Sequence, residues 1–216
     1  MVYLKKISGL GNVLYPSLLW NLPNHKKTIY LTFDDGPIPE ITDWVLACLK
    51  QYQAKATFFC VGENISKHPD IFNNIISEGH TIGNHTFNHL NGWKTNTPDY
   101  LENVRKTEDV ISKNIENPNN SAFKKKLFRP PYGKIKPSQI KKLQQLDYQI
   151  VMWEVISGDF DPELSWEICY NTVIKNTTEG GIIVFHDSKK AFDKLKLLVP
   201  KILKYYHEKG FEFKAL

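Results

Sequence analysis

The sequence predicts an α/β chain of one domain, with about seven parallel strands separated by helices and rolled into a barrel. Three observations carry this. Apolar strand-like runs alternate with amphipathic helical stretches, and no long linker, repeat or low-complexity tract interrupts them. The 216 residues suit a single compact domain with a full core. Polar residues with chemical potential follow the ends of different strands: Asp34 and Asp35, His85 and His89, Arg129, Asp159, and His186. A closed parallel barrel gathers that many strand ends at its C-terminal rim. An open doubly wound sheet is the alternative, but it gathers residues from only two or three strands. The glycine fingerprint of dinucleotide binders is absent after the first strand.

Residues 1–27 form a lead-in and residues 28–216 the main body. Met1–Lys6 followed by Ile7–Trp20 loosely imitates a signal peptide. However, Gly9, Gly11, Asn12 and Pro16 break its apolar run, and no small-x-small cleavage site follows Trp20. The segment reads as a folded or surface-packed lead-in, which favours a cytoplasmic chain over a secreted one. Ile29–Phe33 is a buried strand, stopped by the turn at Gly36-Pro37. Ile41, Trp44, Val45, Cys48, Leu49 and Tyr52 then share one helical face. Ala56–Val61 is a second strand, and a helix runs from Gly62 to about Glu78, with Gly79 where a C-terminal cap belongs. Thr81–Asn84 is a third strand. Thr97-Pro98 opens a helix with Leu101, Val104, Ile111 and Ile115 along one side. Glu116–Lys125, rich in Asn and Lys, is a surface loop. The second half repeats the alternation, with strands at Lys126–Arg129, Tyr148–Val155 and Ile182–Phe185. Its helices fall at Pro137–Asp147, Glu163–Asn176 and onward to about Glu208, the last with a kink expected at Pro200. Phe211–Phe213 closes the chain as a strand.

A composition of 41% hydrophobic and 24% charged residues is that of a soluble globular protein. The formal charge of +5 is spread along the chain, with only Lys124–Lys126 forming a run. That is too diffuse for a nucleic-acid partner, and it leaves a mild preference for anionic surfaces or polymers open. No stretch approaches the ~18 apolar residues of a spanning helix, so stable membrane insertion is not expected. Cys48, Cys60 and Cys169 are odd in number, widely separated and without a Cys-x-x-Cys, as expected of reduced core residues.

Two adjacent carboxylates at a strand end repel each other and each needs a partner. One of Asp34 and Asp35 can bind a cation while the other stays free as a base. His85 and His89, four residues apart, can aim two imidazoles at one cation if that segment is helical.

Thr32-Phe33-Asp34-Asp35-Gly36, His85-Thr86-x-x-His89, Arg129-x-Pro131-Tyr132-Gly133 and Val184-Phe185-His186 resemble the ordered motifs of polysaccharide deacetylases, carbohydrate esterase family four. The likeness runs from about Thr28 to the C-terminus. It implies a distorted (β/α) barrel short of eight units, and metal-dependent hydrolysis of N-acetyl groups on a polysaccharide or oligosaccharide, foremost N-acetylglucosamine units. One departure stands out. The family's Asp-x-x-Asp-Trp is here Ile156-Ser157-Gly158-Asp159-Phe160, keeping only the second Asp.

The resemblance assigns roles residue by residue. Asp35, His85 and His89 are the expected metal ligands, a set that suits zinc, with cobalt, nickel or iron fitting a similar shell. A cation held there acidifies a bound water and polarises an acetyl carbonyl. Asp34 is the expected base, aimed by a fork-shaped ion pair with Arg129. The Tyr132 backbone N–H is the oxyanion donor, and His186 the acid, supported by Asp159. Phe160 and Val184 are expected to line a pocket for the acetyl methyl group. For Trp93 and Trp153, core packing is the reading preferred over stacking on sugar rings. Two other functions share these motifs: an O-acetyl esterase acting on acetylated xylan, and a catalytically silent carbohydrate-binding relative, which only Ile156 favours.

Overall fold

The computed structural model describes residues 8–23, 25–115 and 125–216. The expected loop at Glu116–Lys125, except Lys125, and the first seven residues of the lead-in lie outside them. Seven parallel strands form one curled sheet: β1 (Thr28–Asp34), β2 (Ala56–Cys60), β3 (Thr81–Asn84), β4 (Lys126–Phe128), β5 (Tyr148–Ile150), β6 (Val155–Ile156) and β7 (Ile182–His186). Their order is β5-β4-β3-β2-β1-β7-β6, and a short β8 (Glu212–Phe213) pairs with the start of β1. The helices are α1 (Ser8–Leu14), α2 (Ile41–Gln51), α3 (Gly62–Lys67), α4 (Pro69–Ser77), α5 (Thr97–Lys113), α6 (Pro137–Gln145), α7 (Trp166–Asn176) and α8 (Phe192–Glu208). The barrel of about seven parallel strands expected from the sequence is the one observed.

Side chains alternate across a strand, and that period sorts β1 into two jobs. Ile29, Leu31 and Phe33 join the core beneath α2, α7 and α8, together with Phe58, Phe185, Leu195 and Leu198. Tyr30 faces the other way into a second core with Phe59, Ile182 and Val184. Asp34 shares the parity of Tyr30 and Thr32, so the strand delivers its carboxylate to the barrel interior. Pairing of Asp34 with His186 across β1 and β7 puts both at the same level of the rim.

The barrel does not close by strand pairing. β5 and β6 end the sheet, and among the described residues no ladder joins them. The lead-in occupies that region instead. Leu19 bridges Val151 next to β5, and Asn21 bridges Gly181 at the start of β7. Leu18 and Trp20 are buried in the second core. The single strand expected at Tyr148–Val155 is accordingly two, because the chain crosses from one sheet edge to the other between them. The carbonyls of Val151 and Met152 in this crossing accept hydrogen bonds from Arg129 rather than from a strand.

The helix expected from Gly62 to Glu78 is also two, α3 and α4, with the break at His68. Pro69 has no N–H to donate and its ring excludes the preceding residue from helical geometry. At Pro200 α8 carries on to Glu208. All three cysteines are buried and free.

Candidate active site and metal centre

Arg129 organises the interior. It is fully buried, and its guanidinium lies 4.1 Å from the Phe59 ring centroid. Nη1 donates to Asp34 Oδ1 at 2.7 Å and to Thr32 Oγ1 at 2.6 Å. Nη2 donates to the Met152 carbonyl at 2.8 Å and Nε to that of Val151 at 3.3 Å. The expected fork is therefore a single charged hydrogen bond, since the other donors hold the crossing between β5 and β6. Among the described residues no donor reaches the second Asp34 oxygen.

Asp35 turns away from its neighbour because its backbone takes a left-handed φ of 88°. Such a conformation persists only where the surroundings enforce it. Here Asn64 Nδ2, from α3, donates to the Asp35 carbonyl at 2.7 Å. The carboxylate then lies 3.3 Å from His89 Nε2 and 3.9 Å from His85 Nε2. The ligand atoms of these three residues all fall within 4.8 Å of one another.

The two histidines meet through a loop, not through the helix their spacing suggested. After β3 the backbone takes left-handed φ at Thr86 (63°) and His89 (54°), which folds the four residues back on themselves. Asn84 Oδ1 accepts the Thr86 N–H, and Asn103 Oδ1 accepts those of Phe87 and Asn88. His85 Nδ1–H donates to the Arg129 carbonyl at 2.7 Å, which leaves the Nε2 lone pair for the cluster. Burial holds both imidazoles below the usual histidine range, hence neutral, the state a metal ligand needs. Two neutral imidazoles and one carboxylate fit a divalent cation with open positions left over.

His186 has the opposite charge preference. Burial, the largest single influence, opposes its protonation, but the charge and hydrogen bond of Asp159, joined by the charges of Asp35 and Asp34, together raise the imidazole to about 9. Asp159 Oδ1 pairs with His186 Nδ1 at 2.8 Å, and Oδ2 accepts the His186 backbone N–H at 2.7 Å. Phe160 packs edge-on against the imidazole, with ring centroids 4.8 Å apart. Tyr132, at φ 60° in a tight turn after β4, brings its hydroxyl within 3.1 Å of His89 Nδ1. Its backbone N–H has no acceptor among the described residues.

One cleft of about 630 Å³ takes in Asp34, Asp35, His85, His89, Tyr132, Phe160, Val184 and His186. Ile156, in place of the family's carboxylate, and the buried Trp153 line it too. Trp93 departs from expectation. It is 61% exposed, because its indole N–H is tied to the Ile135 carbonyl on the surface.

Sequence reasoning missed Asp187 and Asn64. Asp187 follows His186, so its side chain points away from the cleft. It accepts the Gly36 N–H at 3.0 Å and the Thr42 hydroxyl at 2.6 Å. Burial pushes its carboxyl up to about 8 against those hydrogen bonds. A second polar pair at a strand end, His186-Asp187 beside Asp34-Asp35, was the available signal for it. Asn64 lies within a helix and gave none.

Known proteins resemble the chain in sequence and fold. The polysaccharide deacetylase profile matches residues 21–151, more than half of the chain. A peptidoglycan-N-acetylglucosamine deacetylase of Bacillus cereus is 36% identical over 201 residues, 90% of this chain and 88% of that protein. Another from the same organism is 36% identical over 185 residues, 83% of this chain but 65% of its own length. The chain thus spans slightly less than two thirds of that second relative. A crystal structure of a peptidoglycan N-acetylglucosamine deacetylase superposes with a TM-score of 0.86 at 34% identity, covering 95% of this chain and 94% of that one. Barrel, motif order and extended identity agree, and the chain belongs to the polysaccharide deacetylase family.

Proposed function

We propose that this protein is a metal-dependent carbohydrate deacetylase that hydrolyses N-acetyl groups from a polysaccharide or oligosaccharide, with N-acetylglucosamine units the first candidate. One observation carries the reading. The Asp35–His85–His89 cluster shares its cleft with a carboxylate paired to Arg129 and a histidine paired to Asp159. Asp35, His85 and His89 would hold the cation, zinc before cobalt, nickel or iron, and it would supply Lewis-acid polarisation and a more acidic water.

The protein's own groups account for the proton transfers. Asp34, with one oxygen fixed by Arg129 and the other free, takes a proton from the attacking water. A C–O bond forms at the acetyl carbon, and the Tyr132 N–H stabilises the oxyanion. His186, protonated in the resting state, gives its proton to the departing nitrogen as the C–N bond breaks. The products are acetic acid and a free amine, and the enzyme is restored as Asp34 loses its proton to solvent and His186 regains one, so atoms and charge balance. Phe160 and Val184 shelter the acetyl methyl group from water.

Ile156 supports a catalytically silent reading only weakly. Asp159 alone already engages both the ring and the backbone of His186. Acetate release from chitooligosaccharides, peptidoglycan and acetylxylan, with zinc supplied, tests the proposal. Release from the first two supports N-deacetylation, release from acetylxylan alone transfers the reading to an O-acetyl esterase, and none from all three returns it to a silent binder.

A further inference from the structure

Trp93 is 61% exposed and belongs to neither hydrophobic core. A large apolar ring left in water forfeits the burial that usually accounts for a tryptophan. Yet the ring is not loose. Its indole N–H donates to the Ile135 carbonyl at 3.1 Å, and its backbone N–H donates to Asn91 Oδ1 at 3.0 Å. The loop that carries it is locked to the segment after β4. The Gly92 N–H donates to the Lys134 carbonyl at 3.1 Å, and the buried Gln139 amide donates to the Gly92 carbonyl at 3.0 Å. The approach is so close that a Cβ on Gly92 would lie 2.4 Å from the Lys134 carbonyl oxygen. An exposed indole is thus held in one place by a built network, which lowers the ordering cost of any contact it makes.

Its position relative to the cleft points to the ligand. Tyr132 stands against His89 at the metal cluster, with its hydroxyl 3.1 Å from Nδ1. Three residues further on, Ile135 holds the Trp93 indole. That stretch spans at most about 11 Å even when extended. Lys134 lies within it, lines the cleft, and sets its ammonium 5.5 Å from the indole ring centroid. The indole therefore continues the cleft wall just beyond the catalytic groups. A pyranose ring presents an apolar face of C–H groups and a rim of hydroxyls. Stacking on indole removes the face from water, and a neighbouring ammonium can donate to the rim.

We infer that Trp93, flanked by Lys134, forms an outer sugar-binding site, which takes a neutral pyranose ring of the same glycan chain outside the sugar being deacetylated. This rests on the deacetylase reading and adds a length requirement to it. Oligosaccharides long enough to cover Trp93 are preferred over shorter ones.

The test is kcat/KM for acetate release from chitobiose through chitohexaose, with zinc supplied, in the parent protein, Trp93→Phe and Trp93→Leu. Both variants lose the hydrogen bond to Ile135, but only Phe keeps a flat ring. Their difference therefore reads stacking and not the anchoring of the loop. In the parent, kcat/KM should step up by roughly five- to tenfold at the length that first reaches Trp93, the scale of one aromatic contact. The step should lie in KM, because this contact is the same in ground and transition states. Trp93→Phe should keep part of the step, and Trp93→Leu should abolish it. No step in the parent, or equal losses in the two variants, overturns the inference and leaves the deacetylase reading standing. No acetate at any length overturns the deacetylase reading instead. Titration calorimetry with chitohexaose then still decides the outer site, since it needs no turnover. Binding weakened in Trp93→Leu by a similar factor supports the site, and unchanged or undetectable binding overturns it.

Discussion

Asp34 and Asp35 point in different directions because of a strand's parity and one left-handed residue, which is the arrangement the proposed division between base and ligand requires. Asp34→Asn is expected to keep the metal and lose 10²–10⁴ in rate, on the order seen when a general base is removed. Asp35→Asn is expected to lose the metal itself. Elemental analysis beside acetate release separates the two, and equal metal loss in both would end the division. His186 makes a pH prediction. Its folded pKa of about 9 lies above an ordinary histidine value of about 6.5. The pair with Asp159 therefore stabilises fully below about pH 6.5, and that stabilisation is lost as pH rises through about 9. Activity relying on the protonated ring should fall along the same alkaline limb. Asp159→Asn removes the charge but not the burial, so the limb should move well toward acid. The same variant should harm an N-acetyl amide far more than an activated acetyl ester, and adding His186→Ala should cost little further, as for residues acting together. An unmoved limb removes Asp159 from this role. Residue identities at the site were legible because their chemistry recurs in ordered motifs. The fork geometry of Arg129 was not, because its other donors go to carbonyls of a crossing no pattern announces.

The turn Asp34-Asp35-Gly36-Pro37 is an element held from beneath. Asp187 presses its carboxylate against Gly36 so closely that a Cβ there would lie 2.0 Å from Asp187 Oδ2. Gly36→Ala should therefore destabilise by about 1–3 kcal/mol, the range for overpacking, and reduce turnover by displacing both aspartates. Combining it with Asp187→Ala removes the clash, so the double variant should lose less than the sum of the singles. Urea denaturation measures this, and strict additivity would show that the two do not meet. Strand and helix positions were legible from hydrophobic period, most clearly in β1, β7 and α2. Two divisions were not foreseen. The break at Pro69 follows from a residue in plain view, but the apolar spacing on either side masks it. The break between β5 and β6 arises from tertiary demand, since Arg129 and the lead-in take the backbone groups a longer strand would have used. His85 and His89 show the same limit: their spacing fits a helical turn, yet the loop after β3 brings them together through left-handed residues held by Asn84 and Asn103.

For the molecule as a whole, the Asp35–His85–His89 cluster draws together separate parts of the sheet. Asp35 follows β1, and His85 and His89 follow β3, with β2 lying between those strands. A cation at this site bridges loops that no strand pairing joins, so binding should stabilise the whole barrel rim. Only the folded chain assembles the three ligands, and ligand binding to the folded state alone stabilises it by mass action. Zinc at a hundred times its dissociation constant contributes about 2.7 kcal/mol. In a chain of this size that raises Tm by roughly 5–10 °C. Chelation should reverse the shift and abolish acetate release together. His89→Ala should show neither stoichiometric zinc nor the shift, because a three-ligand site rarely survives the loss of one ligand. His207→Ala, a histidine on α8 against Tyr52, should keep both and controls for the general effect of removing an imidazole. Full zinc occupancy in His89→Ala, with a Tm shift equal to that of the parent, would take His89 out of the ligand set.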